Sequence, residues 1–132
     1  TFAAVTNAAL PANSINIPIP ANTAAGTYTG TLTVSNANGC VSSANNFTVI
    51  VNPLPTITLG ATTAVCASTS AQSTTLPYSA VTNAPTTYSI TWNASPANTF
   101  AAVTNAALPA NSINIPIPAN TAAGTYTGTL TV

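Results

Sequence analysis

The chain has 132 residues and contains no Lys, Arg, Asp, Glu or His, whereas an ordinary domain is about a quarter charged. That absence removes the usual acids and bases of catalysis, carboxylate-built calcium sites, imidazole-bearing zinc sites and the cations that neutralise nucleic-acid phosphates. With 46% hydrophobic residues there is material for a core, so the expectation is a folded, non-enzymatic protein without cofactor, metal or nucleic-acid partner.

Solubility then rests on Thr, Ser and Asn, and a surface without net charge favours association. No apolar run approaches the roughly 18 residues of a membrane span, so no membrane insertion is expected. The chain opens at Thr1 without a signal-peptide pattern, which reads as an internal window of a longer array. Two cysteines in a Thr- and Asn-rich chain suggest an oxidising, extracellular setting.

In chain order, Phe2 to Thr6 reads as a short, ragged strand. Ile15, Ile17 and Ile19 alternate with polar or proline residues, a period of two that predicts a strand with one isoleucine face. Pro18 removes a ladder donor, so that strand should be bulged or incompletely paired. Gly26 to Val34 predicts the central strand of the repeat. Tyr28, Leu32 and Val34 face one way with Gly30, and Thr27, Thr29, Thr31 and Thr33 face the other. Asn38-Gly39 marks a hairpin connection, and the return strand carries Phe47, Val49 and Val51 on one face. Asn52-Pro53-Leu54-Pro55 then breaks any pairing and reads as a stiff linker.

Thr56 to Leu59 opens the next domain. Leu76, Tyr78 and Ala80 alternate despite Pro77, Asn83-Ala84-Pro85 turns the chain, and Tyr88, Ile90 and Trp92 line an inner face. From Thr99 the chain repeats itself: Thr1–Val34 and Thr99–Val132 are identical throughout, an offset of 98 residues. About 100 residues is one ordinary domain. Residues 1–52 therefore read as the C-terminal part of one repeat, and residues 53–132 as most of the next, lacking its last strand.

Joined in array order, one period gives about seven strands, with a Trp on the third and a Tyr opening the sixth. That is the layout of an immunoglobulin-like β-sandwich, so the expected fold is all-β, a tandem array of such sandwiches. The Cys that follows the Tyr by two places in antibody domains is Gly30 here. The inter-sheet disulfide is therefore missing, and packing around Trp92 must stand in for it. Tyr28, Tyr78, Tyr88, Trp92 and Tyr126 fall on inward phases and are expected in the core rather than on a sugar-binding platform.

Cys40 and Cys66 leave three readings open. Cys66 could pair with the counterpart of Cys40 one period further on, the two could pair directly, or both could be free thiols. A strand from Val41 to Val51 would span about 36 Å at about 3.3 Å per residue, which argues against the direct bond. The row of Thr27, Thr29, Thr31 and Thr33 resembles the Thr ladders of ice-binding proteins, although Thr is an ordinary solvent-facing strand residue.

Thr-Ala-Val-Cys-Ala-Ser, Ser-Ile-Thr-Trp-Asn, Ala-Gly-Thr-Tyr-Thr-Gly-Thr-Leu-Thr-Val-Ser-Asn-Ala-Asn-Gly-Cys and Val-Asn-Pro-Leu-Pro-Thr-Ile follow one another in repeat order. This series resembles the PKD-like or immunoglobulin-like repeats of giant secreted Bacteroidota surface proteins, gliding-motility adhesins among them. The resemblance implies type IX export, a cell-surface or secreted location, and a role as an adhesive filament or stalk. It also implies that the positions matched by Cys66 and Cys40 pair within a domain. The lack of charge departs from that family. The functional expectation is a structural component of an extracellular filament, with copies of itself as partners. The alternative is a ligand-binding adhesin module recognising glycans or surfaces, and ice binding stands third.

Overall fold

A computed structural model describes all residues from Thr1 to Val132. The protein is all-β: eight antiparallel strands in three small sheets, with no helix. The strands are β1 (Gly26–Leu32), β2 (Asn45–Val51), β3 (Thr56–Leu59), β4 (Gln72–Thr82), β5 (Thr87–Trp92), β6 (Val103–Ala107), β7 (Ser112–Ile117) and β8 (Gly128–Thr131). They fall into two compact units, Thr1–Pro53 and Leu54–Val132.

The first unit holds one ladder. β1 and β2 pair from Gly26↔Val51 to Leu32↔Asn45. The Asn-Gly turn forms as its residue types require. The Asn36 side-chain oxygen accepts from the amides of Asn38 and Cys40, both at 3.0 Å, and Gly39 adopts φ +82°. An isolated Ser35↔Val41 bridge carries the pairing beyond the strands. No residue of this unit is buried.

The second unit has two three-stranded sheets, ordered β3-β4-β7 and β6-β5-β8. Ile90 of β5 and Ile113 and Ile115 of β7 form the buried centre. Leu76, Tyr78, Tyr88, Trp92, Val103, Leu108 and Leu130 pack around them, so both sheets meet in one apolar cluster. The alternation of Tyr88, Ile90 and Trp92 aims β5 at this cluster. β4 is long enough to serve two neighbours. Its first half pairs with β7, from Gln72↔Ile117 to Pro77↔Ser112, and its second half with β3, from Leu59↔Tyr78 to Thr56↔Thr82. Pro77 sits where the partner changes, and its carbonyl takes the Gly60 amide at 2.7 Å. Pro116 is tolerated because β7 is an edge strand of its sheet.

Two expectations fail in the first copy of the repeat; in the second the isoleucine strand forms, and the other strand forms three residues further along than expected. Phe2 to Thr6 and the Ile15-Ile17-Ile19 stretch form no strand, whereas the second copy builds β6 at Val103–Ala107 and β7 at Ser112–Ile117. The sequence is the same, so the difference lies in the partners. β6 pairs with β5 and β7 with β4, and the first unit contains no counterpart of either strand. Alternation marks a face that can be buried, but a strand also needs a neighbour to take its amides.

Candidate assembly surface

The second unit is open on one side. A cavity of about 570 Å³ lies against Leu76, Ile90, Trp92, Phe100, Ile115 and Tyr126, with Cys66 and Val65 also on its wall. Trp92 stacks on Phe100 at 4.5 Å with 27° between planes, and Phe100 meets Tyr126 at 5.1 Å and 55°. Trp92 Nε1 donates to the Ala101 carbonyl at 3.1 Å, which orients the indole. The Tyr126 hydroxyl donates to the Ala122 carbonyl at 2.8 Å.

β8 ends its sheet. It pairs with β5 from Trp92↔Gly128 to Ser89↔Thr131, and no strand lies on its other side. A side chain at Gly128 would meet the Trp92 ring at 3.1 Å and the Thr91 carbonyl at 3.1 Å, so the indole covers the bare Cα. At the equivalent Gly30 a Cβ would lie 2.3 Å from the Phe47 ring. One glycine of the repeat is thus covered by an aromatic ring from β5 in one copy and from β2 in the other.

Of the expected core residues, Tyr78, Tyr88 and Trp92 are half-buried against the isoleucine cluster. The Tyr78 hydroxyl donates to the Pro109 carbonyl. Tyr126 is half-buried in the aromatic stack. Tyr28 packs on Phe2 at 4.9 Å and 56°, and its hydroxyl donates to Ala24 at 2.7 Å. Cys40 and Cys66 are both free and exposed, so the direct bond is not made. Thr27, Thr29, Thr31 and Thr33 are all exposed. Sequence reasoning missed Phe100, the ring that links Trp92 to Tyr126. Its only trace was a second aromatic, at Phe2 and Phe100, held at a fixed spacing from the tyrosine.

The chain matches no protein-family model, no curated protein and no solved structure.

Electrostatically the surface is blank. There is no Asp, Glu, His, Lys or Arg whose ionisation changes between about pH 4.5 and about pH 7.5, so folding carries no side-chain proton linkage across that window. The melting temperature is expected to move by less than about 2 °C over that range, and by as little between about 0.01 and about 0.5 M NaCl. Thermal melts followed by circular dichroism check this. A shift of about 5 °C or more in either series would contradict it.

Proposed function

We propose that the chain is a structural element of an extracellular filament or stalk built from tandem immunoglobulin-like domains, with an adhesive or motility role and no enzymatic activity. The observation that carries the reading is one stretch of the repeat with different neighbours in its two copies. Gly26–Leu32 pairs with β2 in the first unit, and Gly128–Thr131 of the second copy pairs with β5. Joining the copies through their shared stretch would give one sheet ordered β6-β5-β8-β2 opposite β3-β4-β7, seven strands per 98-residue period. Trp92 would lie on the third strand and Tyr126 two residues before the sixth.

Two details support the sandwich type. Tyr28 and Tyr126 each bond back to a carbonyl four residues upstream, as the tyrosine at the corner before the sixth strand does in immunoglobulin-like sandwiches. Gly128 stands two places after that tyrosine, where antibody domains carry the disulfide against which their Trp packs, and Trp92 covers it. The mechanism is then mechanical. Ladder hydrogen bonds resist extension, the Pro-rich segment from Asn52 to Pro55 sets the spacing, and the uncharged exterior lets neighbouring arrays pack laterally. The resemblance to secreted Bacteroidota repeats supports a cell-surface location and type IX export.

Imaging the native assembly by electron microscopy tests this reading. The expected result is a beaded fibre whose repeat is on the order of the length of β4, 11 residues or about 36 Å. Dispersed globules would sink it. The open cavity beside Trp92 favours a second reading, a module that binds glycans or surfaces. Binding to a glycan array that Trp92→Ala abolishes would decide for that reading.

A further inference from the structure

A free sheet edge presents unpaired amides and carbonyls to any second copy, and proteins commonly guard such edges with charged side chains, above all Lys. This chain has no charged residue to use. The β8 edge adjoins Val132, and any continuation of the repeat would add there, because the residues that follow the repeat in the first copy build β2, which pairs only with β1. The other sheet ends of the second unit are β3, β6 and β7.

Two of these three are guarded by their shape. β3 is only four residues long. β6 carries an extra residue between its pairs with β5, Tyr88↔Ala106 and Ile90↔Val103, and Asn105 within that bulge has φ +47°. β7 has neither device. Its six residues pair with β4 in a single register from Ser112 to Ile117, which makes it the edge best suited to act as a template.

Hydrogen-bond alternation shows what β7 offers on its outer side. In an antiparallel pair, successive residues turn amide and carbonyl alternately toward the partner and away from it. The Tyr78 amide donates to the Asn111 carbonyl at 3.1 Å, so the pairs in phase with it, Leu76↔Ile113, Thr74↔Ile115 and Gln72↔Ile117, are the bonded ones. Pro77 is in the opposite phase, and its carbonyl accepts from the Gly60 amide at 2.7 Å, on the β3 side. Ser112, Asn114 and Pro116 therefore face outward. Pro116 has no amide, and the Ser112 amide is taken by the Ala110 carbonyl at 2.9 Å. Asn114 is left as the only outward donor.

We propose that Pro116 guards this edge against β7 of a second copy. The contact it prevents is an antiparallel β7–β7 ladder about a two-fold axis at Asn114, in which residue 116 of each strand would donate to Ser112 of the other. The proline costs β7 nothing against β4, because the missing amide faces away from that partner. Ile113 and Ile115 stay in the core whether or not the edge is guarded. Backbone chemistry here takes the place of charge: copies that lie side by side meet through side chains and not through this edge. The proposal holds for a single unit as for an array, so it does not rest on the filament reading.

The test is Pro116→Thr in the full chain, compared with the parent by sedimentation equilibrium. Thr restores a donor on each strand, so self-association is expected to tighten at least about tenfold. Adding Asn114→Pro should return it to the parent value, because that change removes the other outward amide and no bond to β4. Pro18→Thr is the matched control. It alters the same position of the repeat in an exposed segment that forms no strand, and it should leave association unchanged. In the parent, amide exchange read by NMR should be at least about tenfold slower at Ile113 and Ile115 than at Asn114. A Pro116→Thr chain that associates no more tightly than the parent overturns the proposal. So does an equal gain from Pro18→Thr, which would make the effect one of composition, or a gain that Asn114→Pro does not reverse. Exchange at Asn114 as slow as at the isoleucines would place its amide inside the sheet and overturn the geometry. A Pro116→Thr chain that fails to fold, as Trp92 fluorescence would show, does the same, since an amide turned to solvent cannot unfold β7.

Discussion

Ile113→Ala should destabilise the second unit by about 3–4 kcal/mol, and Ile15→Ala should cost less than about 0.5 kcal/mol. The two isoleucines are the same position of the repeat and share every neighbour in sequence from Thr1 to Val34 and from Thr99 to Val132. Propensity, turn chemistry and local denatured-state structure are therefore matched, and only the tertiary surroundings differ. Ile113 is fully buried at 0% exposure, and Ile15 is 46% exposed in a segment without a strand. Truncating Ile113 removes three carbons from a centre that has only two other buried residues, Ile90 and Ile115. A loss of 3–4 kcal/mol is a large part of the roughly 5–15 kcal/mol that holds an ordinary domain together. Urea unfolding read by the fluorescence of Trp92, the only tryptophan, reports on the second unit, and far-ultraviolet circular dichroism covers the first. Equal costs at the two sites would mean that the first copy buries its isoleucines too, and the partner argument would fall.

That matched pair also shows what the sequence could and could not convey. Features whose causes lie inside the 34-residue repeat recur in both copies. Thr23 Oγ1 donates to the Pro20 carbonyl at 2.6 Å and Thr121 Oγ1 to Pro118 at 2.7 Å. Tyr28 and Tyr126 make the same upstream bond, and the Phe2–Tyr28 and Phe100–Tyr126 rings meet at nearly the same distance and tilt. Such local geometry is legible because the interacting groups travel together. The same holds for β5, whose Tyr88-Ile90-Trp92 alternation already points at the core, and for the Asn36–Gly39 turn.

Features that depend on residues outside the repeat do not recur. Ile113 and Ile115 are buried because β4 supplies a ladder and β5 supplies Ile90. Ile15 and Ile17 meet neither and stay exposed at 46% and 38%. Phe47 likewise carries an inward phase yet has no facing sheet. A period of two states which residues share a face, and it is silent about whether anything arrives to cover that face. The candidate surface was hidden for the same reason. Phe100 links Trp92 to Tyr126 only once β5 and the second copy of the repeat have come together.

Trp92→Ala should cost about 3 kcal/mol, and it should also change the cost of a second substitution, Gly128→Ala. The indole stacks on Phe100 at 4.5 Å, hydrogen-bonds to Ala101 and lies over the bare Cα of Gly128. Because Trp92 is only half-buried, the loss belongs at the low end of the range for truncating a large aromatic. In the parent chain a Cβ at Gly128 meets ring carbons of Trp92 at 3.1 and 3.3 Å and the Thr91 carbonyl at 3.1 Å, and such overpacking should cost about 1–2 kcal/mol. Removing the indole leaves only the carbonyl contact, so Gly128→Ala in the Trp92→Ala background should cost about 0.5–1 kcal/mol less than in the parent. Thermal unfolding of the four proteins by circular dichroism closes the cycle. If the two costs simply add, Trp92 does not rest on Gly128. The packing of the tryptophan on the glycine, in the place where antibody domains have a disulfide, would then lose its support. A clear coupling would mean instead that the indole braces its cross-strand partner glycine within the β6-β5-β8 sheet, an aromatic ring covering a position that has no side chain of its own.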